Sequence, residues 1–189
     1  MKKLFAGIIV VILAVFSVFY LLFPLNVILP IFHGQTISYY SQEYNLDPLF
    51  VAAIIKAESK FANRARSHAG AIGLMQLMPA TARELAAELG MKNISEKDLE
   101  NPKININLGT YYLSKLNKIF NGDTVLILCA YNAGISNALS WKANSAGGSL
   151  KIEDIPYRET KKYINNVLRT YEWLKQTQKI KNLIRGKII

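Results

Sequence analysis

The sequence predicts an all-α protein, one helical globular domain behind one N-terminal transmembrane helix. Three observations carry that reading. Leu4 to Phe32 holds no charged residue over 29 positions, well beyond the roughly 7–15 apolar residues of a cleavable signal. Asp47-Pro48 and Asn101-Pro102 each set a capping side chain before a proline suited to the first helical position. Downstream, apolar residues recur at helical spacing, and no run alternates as a half-buried strand would.

Lys2 and Lys3 precede the apolar run and favour the cytoplasmic side. Leu4 to Phe23 would cross about 30 Å of hydrocarbon as a helix, and Pro24 and Pro30 mark where it should kink or stop. No small-residue cleavage site stands out beyond it, and the only cysteine, Cys129, is too far away for an N-terminal lipid anchor. The segment is therefore expected to remain as an uncleaved signal anchor, single-pass, with the domain outside the cytoplasm.

Gln35 to Tyr44 reads as a short helix, followed by the Asn45–Pro48 turn and a helix from Pro48 to Glu58. Asn63 to Ile72 lacks periodicity and reads as a loop. Pro79 to Leu89 is helical and stops at Gly90, a natural residue after a helix end. Ser95 and Asp98 have the spacing of a capping box. Pro102 opens a helix carrying Leu108, Tyr112, Leu113, Leu116 and Phe120. Asp123 caps the next, which holds Val125 to Tyr131. Gly134 punctuates it, and a further short helix reaches Trp141. After a small-residue loop, Pro156 and Tyr157 are expected to open a long helix through Tyr163, Val167, Tyr171 and Leu174. Residues 1–32 are thus read as the anchor, 33–177 as the globular domain and 178–189 as a basic tail.

Of 23 basic and 13 acidic residues, 21 and 13 lie after position 32, leaving that part at +8. From Lys151 onward ten basic residues face four acidic ones, which by default is a solvated helical face and alternatively a contact surface for anionic wall polymer or lipid headgroups. Nucleic acid is excluded, because no binding motif accompanies the charge and the domain faces away from the cytoplasm. A lone cysteine allows no internal disulfide, and Cys129 sits in an apolar run typical of a buried thiol. His33 and His68 show no zinc-binding pattern, so neither metal nor cofactor is expected.

Glu58 is the candidate of chemical interest. Val51, Ile54 and Ile55 precede it by seven, four and three residues and share its helical face. A carboxyl against such side chains loses hydration, which raises its pKa and suits it to general acid catalysis near neutral pH. An ordinary polar residue at a helix end is the alternative from spacing alone.

A wider pattern favours the chemical reading. Glu58-Ser59, Phe61, Ala65, Ser67, Gly70-Ala71, Gly73-Leu74-Met75-Gln76, Met78-Pro79 and Ala80-Thr81-Ala82 fall in the order and spacing of a motif. Ala130-Tyr131-Asn132-Ala133-Gly134 supplies a second, and Pro156, Glu159-Thr160 and Tyr163 a third. In these the chain resembles the soluble-lytic-transglycosylase family over roughly Gln35 to Leu174. The resemblance implies the lysozyme-like helical fold, with a groove for peptidoglycan glycan strands. It implies Glu58 as the one catalytic carboxylate, acid and then base, in cleavage between N-acetylmuramic acid and N-acetylglucosamine that leaves a 1,6-anhydro sugar.

The same resemblance implies substrate contacts for Ser67, Gln76, Met78, Tyr131, Asn132, Glu159 and Tyr163. Taken alone, Ser67 suits turn chemistry, Gln76 suits pinning the loop as well as an amino sugar, and Met78 suits the core. Glycoside hydrolysis usually requires two carboxylates, and Glu84, Glu88, Glu96, Asp98 and Glu100 lie outside the motifs. A goose-type-like muramidase and a catalytically silent wall-binding protein are the competing readings.

Overall fold

Asp47 sets the register of the helix that ends at Glu58. In the computed structural model, which describes residues 7, 9–17, 32–91, 93–145 and 149–185, its Oδ1 accepts a 2.8 Å hydrogen bond from the Leu49 amide. The chain divides into two units, Met1–Phe32 and His33–Ile189. In the first, Gly7 and residues 9–17 are helical and exposed. No helix among the described residues is long and apolar enough to cross a membrane. Most of the expected anchor, including 18–31, lies outside the described residues.

The second unit is built from α-helices, with isolated bridges in place of strands among the described residues. They are α1 (Gly34–Glu43), α2 (Pro48–Ser59), α3 (Pro79–Glu88), α4 (Pro102–Ile119), α5 (Thr124–Ala133), α6 (Ile135–Ala143) and α7 (Arg158–Arg185). Short 3-10 turns cover Asp98–Glu100 and Ile152–Asp154. The expected caps are present. Asn101 accepts from the amides of Lys103 and Ile104, and Asp123 from that of Leu126. Ser95 and Asp98 bond reciprocally in the capping box. Gly90, at φ 69°, ends α3 while the Met91 amide reaches back to the Ala86 carbonyl.

Val51 to Ile55 are all buried, which a helix tolerates only when neighbours surround it. α2 accordingly packs against α1 and most extensively along α7. α4 carries Ile106, Leu108, Leu113 and Leu116 into the core and meets α1, α3 and α5. The buried stretch Leu126–Ala130 makes α5 the second inner helix. Cys129 lies within it, its thiol pushed up to about 12 by burial first and the Asp123 charge second, and so is inert at neutral pH.

One boundary differs from expectation. α7 begins at Arg158, because the Lys161 amide takes the Tyr157 carbonyl as its first helical acceptor. Pro156 and Tyr157 therefore lead into the helix instead of forming its first turn. At its other end α7 runs unbroken to Arg185.

Candidate active site

Glu58 occupies the last turn of α2, only partly exposed. Burial pushes its carboxyl up to about 7, and the neighbouring Tyr163 hydroxyl draws it partly back. No second carboxylate is among the causes acting on it. The hydroxyls of Tyr131 and Tyr163 are held well above 10, by burial first and next by the charge of Glu58. Thus α2, α5 and α7 bring one carboxyl and two phenols to one place. Tyr131 donates a 2.7 Å hydrogen bond to the Met75 carbonyl. The Tyr163 hydroxyl is buried beside Glu58 and bonds no other group among the described residues.

The loop after Glu58 is shaped by its own polar groups. Ile72 and Leu77 exchange backbone hydrogen bonds of 2.9 and 3.1 Å around the Gly73–Gln76 turn. Gln76 sits at φ 47°, and its Nε2 donates to the carbonyls of Ala65 and Gly73 at 3.1 and 2.9 Å. Its amide nitrogen therefore pins the loop, as one sequence reading allowed, while the side-chain oxygen accepts no hydrogen bond among the described residues. Ser67 likewise performs turn chemistry, its Oγ accepting from the Ala71 amide at 3.0 Å, but remains exposed. Met78 is 43% exposed at the start of α3, which corrects the core role its sequence context alone suggested. The turn before α3 faces it outward.

The second and third motifs meet beside one another. Asn132 Oδ1 accepts a 2.8 Å hydrogen bond from Thr160 Oγ1. An open depression of about 520 Å³ is lined by Asn132, Ala133 and residues 156–160, including Glu159. Glu58 is not among its lining residues. His68 is exposed, and no group of three or more His, Cys, Asp or Glu that would hold a metal occurs among the described residues.

Several supports escaped sequence reasoning. Ser59 Oγ bonds the carbonyls of Ile55 and Leu74 at 3.2 and 2.8 Å, fixing the loop to the end of α2. Asn105, fully buried in α4, accepts from the Met75 amide and donates to the Ile72 and Leu99 carbonyls. The available signal was an amide inside the apolar stretch Ile104–Ile106, which in a core demands several partners. Arg66 bonds Glu96 and Glu100, each at 3.1 Å, so acids read only as a polar connector also hold the loop from outside.

Residues 35–153 match the family described as Transglycosylase SLT domain. The soluble lytic murein transglycosylase of Escherichia coli K12 is 33% identical over 143 residues, covering 74% of this chain but 22% of the relative. The membrane-bound lytic murein transglycosylase E of Buchnera aphidicola is 38% identical over 142 residues, covering 70% of this chain and 67% of the relative. The crystal structure of an inactive mutant of lytic transglycosylase Slt from Pseudomonas aeruginosa superposes with a TM-score of 0.73 at 34% identity. That likeness covers 85% of this chain and 26% of the other. The chain therefore spans about a quarter of the length of the larger relatives it matches. On the family match and these likenesses together, the chain belongs to the Transglycosylase SLT domain family.

Proposed function

We propose that this chain is a membrane-anchored peptidoglycan lytic transglycosylase in which Glu58 acts first as acid and then as base. The observation that carries the reading is one partly exposed carboxyl at the end of α2, set beside the Tyr131 and Tyr163 phenols, with its pKa raised to about 7 by desolvation and no second carboxylate acting on it. At neutral pH a substantial fraction of such a group holds its proton. It gives that proton to the glycosidic oxygen as the bond to the anomeric carbon of N-acetylmuramic acid breaks. The sugar's own N-acetyl oxygen supports that carbon. The C6 hydroxyl of the same sugar then closes on it, and the proton released returns to the Glu58 carboxylate. Bonds broken and formed balance without water, so no hydrolytic base is required, unlike the two-carboxylate route.

The remaining assignments follow the motifs. Tyr131 and Tyr163 flank the reacting group, and Ser67, Gln76 through its side-chain oxygen, and Met78 line the approach from the loop side. Asn132 and Glu159 hold the more distant part of the substrate. Residues 1–32 form a single-pass anchor, 33–177 the extracytoplasmic catalytic domain and 178–189 a basic tail favouring anionic wall polymer or lipid headgroups. The uncharged run after Lys2-Lys3 and the likeness to a relative named membrane-bound support the anchor. Protease added to cells stripped of their wall should remove the domain, and complete protection would contradict this topology.

Mass spectrometry of products from purified wall tests the reaction. The expected main product ends in 1,6-anhydro-N-acetylmuramic acid. Reducing-end N-acetylmuramic acid as the main product would reassign the chain as a hydrolase.

A further inference from the structure

We propose that Asn105 is a positioning residue for the reaction: it fixes Met75, whose carbonyl takes the Tyr131 hydroxyl proton, so that the phenol oxygen meets the reacting groups as an acceptor. The inference rests on the reading of Glu58 as the proton-transfer group and extends it to a residue outside the three motifs.

The chain of contacts is continuous. Asn105 Oδ1 accepts from the Met75 amide at 2.7 Å, and its Nδ2 donates to the Ile72 and Leu99 carbonyls, each at 2.9 Å. Every polar atom of the side chain is thereby committed, and the residue has no exposed surface. The same face of α4 grips Met75 in two further ways. Gly109 leaves a notch that a Cβ would fill by striking the Met75 side chain, and Thr110 Oγ1 lies 3.9 Å from the Met75 sulfur. Residue 75 is thus held by positions 105 and 109, one helical turn apart, and by the adjoining Thr110.

The consequence lies in the direction of a proton. A carbonyl oxygen can only accept, so the 2.7 Å contact from Tyr131 to Met75 requires the phenol proton to lie between them. With its one proton committed, Tyr131 presents only lone pairs toward Glu58 and the substrate. It can accept from the protonated carboxyl, or from a sugar hydroxyl or amide, and cannot donate to the carboxylate. Tyr163, whose hydroxyl donates to no other group among the described residues, has its proton available for that task. The two phenols beside Glu58 therefore have opposite polarity, and α4 sets it for Tyr131. Should Met75 shift, Tyr131 would be released to turn its proton toward the carboxylate.

A double-mutant cycle of Asn105→Ser and Tyr131→Phe tests this on the full chain, with turnover and KM measured on purified wall. Misplacing a reacting group by an ångström lowers rates by about 10²-fold, and both single variants should lose kcat on that scale. For Asn105→Ser, KM should stay within about threefold, because Asn105 does not contact the substrate. The double variant should be no slower than Tyr131→Phe alone to within about twofold, since both changes remove one linkage. Losses that multiply, or a loss confined to KM, would overturn the proposal.

If Asn105→Ser does not fold, Gly109→Ala, whose Cβ would displace Met75 from the same helix, takes its place. Neutron diffraction on the unaltered protein decides the matter independently of either variant. The Tyr131 proton should lie on the line to the Met75 carbonyl, and a proton directed at Glu58 would overturn the proposal. An active Glu58→Gln variant would instead sink the underlying reading of the site, leaving the neutron result to judge the Asn105 anchor by itself.

Discussion

Tyr163 buries its hydroxyl beside the Glu58 carboxyl, where its hydrogen-bonding influence draws the carboxyl's pKa downward against the larger effect of burial. The arrangement suits a group that must change charge during a cycle. A donor strong enough to overcome burial would hold the carboxylate ionised and spoil the acid. Tyr163→Phe removes the downward influence, so the Glu58 pKa should rise further. The alkaline limb of the rate profile, where the acid loses its proton, should then move to higher pH. An unmoved limb would show that Tyr163 does not act on Glu58.

Glu58 also links stability to pH. Its folded pKa of about 7 lies above the ordinary 4.5, so between those values the unfolded chain gives up a proton that the native protein retains. The native state binds more protons there, and stability from this group falls as pH rises from about 4.5 to about 7. The effect is at most about 3 kcal/mol. Glu58→Gln removes it. The variant's thermal midpoint should match the wild type near the low end of that window and exceed it increasingly toward neutral pH. A difference independent of pH would mean the carboxyl is ionised throughout.

Two glycines in the loop should respond differently to the same change. Gly73, at φ 83°, lies against Asn105 and the Leu99 carbonyl, where a Cβ would overlap both, whereas Gly70, at φ 91°, has nothing within 4 Å of the Cβ position. Gly70→Ala meets backbone strain alone, about 1–3 kcal/mol. Gly73→Ala adds overpacking of a further 1–3 kcal/mol or so and displaces Asn105. Urea unfolding should rank Gly73→Ala as clearly the less stable, and equal losses would contradict the packing described.

The helices were legible because their signals are local. Asp47, Asn101 and Asp123 cap the helices that follow them, and the reciprocal Ser95–Asp98 bonds match their spacing. The start of α7 was misjudged by two residues because the Tyr157 carbonyl, not Pro156, sets the first turn. At the site, the apolar face before Glu58 gave the direction of its pKa. Asn105 could be marked only as an amide in an apolar stretch, since its function depends on carbonyls at positions 72 and 99 and an amide at 75, contacts that no periodicity encodes. The double engagement of Gln76 had the same origin. Its residue type told that it could bond both a loop and a sugar, and only the fold shows that Nε2 is already taken.

The most direct measurement is turnover by Glu58→Gln on purified wall, made with a thermal midpoint on the same preparation. Glutamine keeps the size of the side chain and loses the transferable proton. General acid catalysis contributes about 10²–10⁴-fold, and here the same group must also recover the proton, so the loss should reach the upper end of that range or exceed it. Folding should be intact and, at neutral pH, the midpoint raised. Near-native turnover by a properly folded Glu58→Gln protein would contradict the account at its centre.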